Sequence, residues 1–312
     1  MRAVVLHAAG GPEQLVLEQI TTPAPGPDEA LVRVHAAALT RDELEWPVDR
    51  LPAIPSYELS GVVAELGPGV DRLAVGDHVY GMTAFDRDGV AADYAAINAE
   101  LLAPKPRALS HPEAAAVPLA ALSAWQGLFE HGGLAAGERV LIHGATGGVG
   151  QFATPLASRH GAHVTATTSA RDVERARELG ADATVDHASG DVVAAVKEAT
   201  GGAGVDVVLE HVGEATWQRS LQSARAGGRI VVCGATTGPN PPAALHRIWW
   251  KQLTIYGSTM GTKEDFEGAY ELVKSGRAKP VVDSIFPLEE ARAAHERMEA
   301  AEQFGKIVLT IP

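Results

Sequence analysis

The segment Val140-Leu141-Ile142-His143-Gly144-Ala145-Thr146-Gly147-Gly148-Val149-Gly150 starts as a short apolar strand and ends in a glycine-rich turn. Residues 152–159 after it carry a helical pattern. The turn contains Ala145-x-Gly147-x-x-Gly150, a variant of the dinucleotide fingerprint with Ala at the first position. Gly147 lets backbone approach a pyrophosphate, and Gly150 lets helix and strand pack closely. The helix N-terminus supplies unpaired N–H groups and a positive dipole end. A glycine turn kept only for helix–strand packing is the plainer alternative. The strand before and the helix after favour dinucleotide binding. Ala145, Thr146, Gly147, Gly148 and Val149 are therefore the expected cofactor contacts.

Outward from this turn, strand and helix alternate. Residues 162–168 read as a second strand and 171–179 as a charged helix. Residues 205–209 and 229–232 read as further buried strands. Such alternation implies βαβ units and a parallel sheet covered by helices. Two more helices are expected over 263–275 and 288–301, and an apolar strand over 307–311. Upstream, residues 2–6, 31–35, 61–66 and 78–81 look like strands separated by Pro/Gly turns. The texture changes near His111, where Ser110 is a plausible helix cap. The fold class is α/β, with a β-rich domain beside a doubly wound parallel sheet.

The 312 residues fit about two domains. Hydrophobic residues make up 46% and charged residues 21%, which excludes wholesale disorder and a fibrous repeat. The single cysteine, Cys233, excludes an intrachain disulfide and a Cys-rich zinc site. A net charge of −13 argues against nucleic acid and anionic membrane as partners. The most apolar stretch, residues 114–125, is too short to span a bilayer, and the N-terminal apolar run is too short for a signal peptide. A soluble, cytoplasmic protein is expected.

The end of the second strand chooses between NAD and NADP. An NAD site places an acid there, about 20 residues past the motif. This chain has Thr167-Thr168-Ser169-Ala170-Arg171. The hydroxyls of Thr168 and Ser169 and the guanidinium of Arg171 can receive a 2′-phosphate, so NADP is expected. The plainer reading of Arg171 and Arg175 is a solvated helix face.

These residues resemble the medium-chain dehydrogenase/reductase superfamily, in its zinc-free, zeta-crystallin-like quinone oxidoreductase branch. The resemblance covers essentially the whole chain. It rests on Met1-Arg2-Ala3-Val4, Gly61-Val62-Val63, Gly76-Asp77-His78-Val79-Tyr80-Gly81 and Pro118-Leu119-Ala120-Ala121-Leu122-Ser123-Ala124. The glycine turn, Leu179-Gly180-Ala181-Asp182, Gly227-Gly228-Arg229 and Gly305-Lys306-Ile307-Val308-Leu309 complete it. It implies a GroES-like catalytic domain over 1–115 and 259–312, and a Rossmann domain over 116–258, with cofactor in the cleft. It also implies a homodimer through the sheet edge near residues 253–257.

By this resemblance, zinc relatives carry a ligand Cys followed by His where this chain has Leu39-Thr40, and Gly-His-Glu where it has Ser56-Tyr57-Glu58. Leu39 cannot bind zinc and Tyr57 is not a usual ligand, so no metal is expected. Tyr57 is the candidate proton donor, because a neutral phenol can donate to a developing oxyanion. Asp42 matches a family Asp near the active site, with a structural hydrogen bond as the plainer role. His187, near the adenosine phosphate, is balanced by the reading of a surface histidine without a role. The resemblance places His211, Cys233, Gly234 and Ser258 along the cofactor, with the Cys233 side chain as a small buried hydrophobe. Ser123 matches a position near the nicotinamide, or else is a mid-helix hydroxyl. Lys306 matches a family lysine, or else is a solvated strand-end charge. Trp46, Trp249 and Trp250 are candidates for the pocket lining or a dimer contact, with core as the default reading of each.

The expected activity is NADPH-dependent hydride transfer to a quinone or an α,β-unsaturated carbonyl. The family Asn and Tyr often found where Leu39 and Leu44 stand are missing, which leaves quinone specificity open. An enoyl-thioester reductase and a non-catalytic NADPH-binding sensor or structural protein are the alternatives.

Overall fold

The computed structural model describes residues 1–259, 270, 273–275 and 279–312. Met260 and most of the helix expected over 263–275 lie outside them. The chain divides into two compact units, Met1–Leu119 with Pro280–Pro312, and Ala120–Lys279. These breaks fall somewhat later in the chain than the boundaries the sequence suggests.

The first unit holds β1 (Arg2–Leu6), β2 (Leu15–Gln19), β3 (Glu29–Ala38), β4 (Glu58–Leu66), β5 (His78–Met82), β6 (Tyr94–Asn98) and β7 (Leu102–Pro104). β1 and β2 form an antiparallel pair. The second unit holds β8 (Arg139–Ile142), β9 (His163–Thr168), β10 (Ala183–Asp186), β11 (Val205–Glu210), β12 (Ala224–Val232) and β13 (Thr254–Gly257). The chain then returns to the first unit with β14 (Val282–Pro287) and β15 (Lys306–Thr310).

In the first unit the sheet runs β14-β15-β3-β4-β5-β7, with β6 also on β3. The last strand closes against an early one, with Val308 opposite Ala38. Alternating side chains from β3, β4 and β5 build the core, in which Val32, Val34, Leu59, Val63 and Val79 are buried. The helix α1 (His111–Ala115) starts at Ser110 in a full capping box: Ser110 accepts from Glu113 N, and the Glu113 carboxylate accepts from Ser110 N.

In the second unit the sheet runs β10-β9-β8-β11-β12-β13, and every pairing is parallel. Helices α2 (Pro118–Trp125), α3 (Gly150–Arg159), α4 (Val173–Glu178), α5 (Val192–Ala199), α6 (Trp217–Ser223) and α7 (Leu245–Lys251) accompany it. The charged segment read as one helix over 171–179 is split: Ala170–Asp172 is a tighter turn and α4 follows. Val140, Leu141 and Ile142 are fully buried, as a strand covered on both faces must be. The strand order reverses between β8 and β11. Ligands of doubly wound sheets bind outside the carboxyl ends of the strands at such a switch point. No helix among the described residues is long and apolar enough to cross a membrane.

Candidate functional site

β8 ends at the switch point and hands the chain to the glycine turn. Gly144 has φ +55°, a conformation that favours glycine. Its N–H donates to Thr167 Oγ1 at 3.1 Å, and Ala145 N donates to Thr167 O at 2.9 Å. A side chain at Gly150 would put its Cβ 2.2 Å from Gly144 O and 2.6 Å from Ala145 Cα, so only glycine fits where α3 begins. Thr146 Oγ1 meets Thr168 Oγ1 at 2.8 Å, tying the turn to β9. Gly147, Gly148 and Val149 keep a partly exposed face at the N-terminus of a ten-residue helix.

At the end of β9, Thr168 is buried against the turn, and Ser169 donates to Asp172 at 2.7 Å. Asp172 is buried as well, and the guanidinium groups of Arg171 and Arg175 lie 3.3 and 3.5 Å from its carboxylate. The acid that could disfavour a phosphate is thus flanked by two cations whose side chains are more than half exposed. His187 follows β10 on the surface, and its N–H donates to Thr168 O at 2.9 Å.

β11 ends in the buried carboxylate of Glu210. His211 Nε2 lies 2.9 Å from where a Cβ at Gly144 would stand, so the imidazole caps the turn. A Cβ at Gly234 would meet His211 O at 3.1 Å. Burial, with Glu210 adding to it, pushes the Cys233 thiol up to about 12, so it stays protonated. Ser258 donates to Gln126 Oε1 at 2.6 Å, one turn beyond the buried Ser123 of α2. The carboxyl ends of neighbouring strands therefore gather 144–149, 168–171, 187, 211 and 233–234 along one edge of this unit.

The remaining candidates belong to the first unit. Tyr57 is fully buried, between the rings of Trp46 and Phe85 at 5.3 and 5.2 Å. Its hydroxyl accepts from Arg50 at 3.0 Å. Burial pushes its pKa above the ordinary value, against the opposing pull of Arg50. It remains a neutral phenol with a proton to give. Asp42 lies on the surface at φ +65°, beside Arg41 at 3.7 Å, and its carbonyl accepts from Glu45 N at 2.9 Å. Leu39 is fully buried. Among the described residues, no three His, Cys, Asp or Glu side chains are placed to hold a metal.

Two polar clusters escape sequence reasoning. Lys306 is buried on Glu58 rather than solvated, and donates to Thr40 Oγ1 at 3.0 Å. Glu43, also buried, accepts from Thr40 N at 3.0 Å and Ser56 Oγ at 3.4 Å. In the second unit His143, Thr167, Ser220 and Glu210 join in the interior. The available signal was His143 and Glu210 closing the apolar runs 140–142 and 207–209; Glu43, Glu58 and Lys306 carry no such signal. Trp249 and Trp250 correct the core reading. They are 63% and 76% exposed, because α7 buries no residue.

Residues 26–107 match the alcohol dehydrogenase GroES-like domain family, and residues 148–275 match the zinc-binding dehydrogenase family. A quinone oxidoreductase of Rattus norvegicus is 30% identical, covering 100% of this chain and 98% of its own. A 2-haloacrylate reductase of Burkholderia is 32% identical over 98% of each chain. Among solved structures, an NAD-dependent alcohol dehydrogenase has a TM-score of 0.93 at 36% identity, with full coverage of both chains. The quinone oxidoreductase of Escherichia coli, solved with NADPH, has a TM-score of 0.93 at 29% identity, again with full coverage of both. The chain belongs to the medium-chain dehydrogenase/reductase superfamily, in its quinone oxidoreductase branch.

Proposed function

We propose that this protein is a zinc-independent, NADPH-dependent reductase of quinones or α,β-unsaturated carbonyls. The observation that carries the reading is the carboxyl edge of the parallel sheet. There Gly144–Gly150 opens α3, and Arg171 and Arg175 stand at the end of β9. The glycine turn and the helix N-terminus suit a pyrophosphate. The arginines suit a 2′-phosphate. Bound there, NADPH supplies a hydride.

Reduction of an activated acceptor leaves negative charge on its oxygen, which must be stabilised and protonated. Tyr57 carries that role in this reading. Its phenol is neutral, and the Arg50 guanidinium on its oxygen orients the O–H and supports the phenolate that donation leaves. Leu39 and Tyr57 stand where zinc relatives have ligands and neither is a usual zinc donor, so these positions supply a phenol proton rather than a Lewis acid. The 2-haloacrylate reductase among its relatives supports an activated alkene as acceptor. The single cysteine suits the reducing cytoplasm.

NADPH oxidation at 340 nm in the presence of EDTA tests the proposal, with a quinone, a short enone, a crotonyl thioester and a primary aldehyde as acceptors. Turnover of the quinone or enone is expected, faster with NADPH than with NADH. Turnover confined to the thioester makes it an enoyl-thioester reductase. Aldehyde turnover lost on chelation overturns the zinc-free reading. NADPH binding with no turnover of any acceptor would indicate a sensor.

We propose also that two copies associate along β13. All four residues of this last strand of the sheet are exposed, and the exposed Leu245, Trp249 and Trp250 of α7 precede it. Among the described residues β13 pairs only with β12, and such a strand edge with neighbouring apolar surface is a template for a second copy.

A further inference from the structure

The buried polar cluster at the switch point has one proton arrangement. The Glu210 carboxylate can only accept. It takes bonds from Val212 N at 2.8 Å, Gly213 N at 3.1 Å, Thr216 Oγ1 at 2.8 Å and Ser220 Oγ at 2.5 Å. With its proton spent on Glu210, Ser220 Oγ accepts from His143 Nε2 at 3.0 Å. His143 Nδ1 is then an acceptor and takes the proton of Thr167 Oγ1 at 3.3 Å. Thr167 Oγ1 in turn accepts from Gly144 N at 3.1 Å. His143, Ser220 and Glu210 are fully buried, and Thr167 nearly so. Burial keeps His143 neutral, with its pKa pushed down to about 4.

The chain therefore runs one way, from Gly144 N–H through Thr167, His143 and Ser220 to Glu210. It joins the ends of β8, β9 and β11, from which the glycine turn, the phosphate end of β9 and the turn at 211–213 depart. We propose that this chain pre-sets the backbone of the glycine turn and of the 212–213 turn for the dinucleotide, with Thr167, His143 and Ser220 as positioning residues that never touch it. The proposal rests on the reading of the glycine turn as the cofactor site. Without the chain, the Gly144 N–H loses its acceptor and the turn must be ordered at the expense of binding.

The test is titration of the purified full-length protein with NADPH and with NADH, alongside steady-state kinetics. Thr167→Val keeps the shape and removes the hydroxyl. Its expected effect is about tenfold weaker binding of both dinucleotides, with kcat at saturating NADPH within about twofold of wild type. Thr167→Ser restores affinity. Ser220→Ala, remote from the turn, weakens both dinucleotides in the same sense. It carries the test alone if Thr167→Val does not fold. Thr154→Val is the control, because Thr154 is equally buried in α3 and its hydroxyl has no hydrogen-bond partner.

Variants that melt earlier yet bind both dinucleotides like wild type overturn the proposal. So does failure of serine to rescue, or a loss confined to NADPH, which would move the effect to the 2′-phosphate. A wild-type protein that binds neither dinucleotide removes the cofactor reading itself, and the proposal with it.

Discussion

Lys306 of the last strand is ion-paired with Glu58 of β4, and both side chains are almost wholly buried. The pair is far from self-sufficient. Glu58 also accepts from Leu119 N at 3.0 Å, and the Lys306 ammonium also donates to Thr40. Removing one partner leaves an uncompensated charge in the interior, which costs more than the intact pair contributes. Lys306→Met should destabilise the first unit by about 3–5 kcal/mol in urea denaturation. The double variant Glu58→Gln/Lys306→Met should recover most of that loss. A single variant as stable as wild type would mean that Glu58 is already neutral in the fold.

Glu43 adds a pH dependence of unusual sign. Burial, the largest cause, lifts its carboxyl from 4.5 to about 8, against the opposing pull of Lys306. Below pH 4.5 both folded and unfolded chains hold the proton. Between 4.5 and about 8 the unfolded chain releases it and the folded chain does not, so stability falls as pH rises. Glu43→Gln imitates the neutral acid and removes this slope. Below pH 6.5 the buried histidines oppose this slope, so stability measured from pH 6.5 to 8 should fall for wild type and stay flatter for the variant. His295, whose Nε2 lies 3.5 Å from Glu43 Oε1, contributes on the acid side. Burial holds it near 4, so stability falls as pH drops from 6.5 toward 4, in both proteins. Parallel curves above pH 6.5 would show that Glu43 ionises in the fold.

What could be read in advance was local. Gly144–Gly150 and the Ser110–Glu113 cap are set by residues a few positions apart, and their geometry follows from spacing alone. The Glu58–Lys306 pair was illegible because its burial depends on β15 docking against β3, across most of the chain. The chain from Thr167 to Glu210 was illegible for a related reason. Its members sit on β9, on β11, on α6 and one residue past β8, and only the parallel register brings them level. β2, β6, β7 and β14 were missed because short strands owe their form to partners rather than to propensity. Trp249 and Trp250 misled because residue type speaks for burial, whereas exposure is decided by where α7 lies.

Cofactor choice should depend on Arg171 and Arg175. Both are largely exposed and neither belongs to the glycine turn. Replacing both with Ala removes two charge-assisted donors from a 2′-phosphate and leaves Asp172 without its cations. The ratio of kcat/KM for NADPH over NADH should fall by about tenfold or more. An unchanged ratio would move 2′-phosphate recognition elsewhere, with His187 the next residue to substitute.

Gly150→Ala should abolish dinucleotide binding. The added Cβ has to displace Gly144 O and the Ala145 backbone, neither of which can rotate away as a side chain would. Gly148→Ala, by contrast, alters a partly exposed position of the same turn. Binding loss at 150 should exceed that at 148 by at least about tenfold. Equal losses would mean that the turn tolerates movement at the start of α3.

The edge of the parallel sheet supplies the last test. Ile255 and Tyr256 on β13 are more than a third exposed, and Trp249 and Trp250 pack edge to face at 5.3 Å on α7 just before it. Aromatic anchors of this kind dominate the binding energy of interfaces. A charge placed on a strand edge blocks pairing with another chain. Wild type should sediment as a dimer at micromolar concentration. Ile255→Lys and Trp250→Arg should each raise the dimer dissociation constant by about a hundredfold. Both substitutions fall on exposed side chains, so thermal stability of the monomer should change little. A wild-type monomer, or a dimer indifferent to both changes, removes the edge strand as the contact.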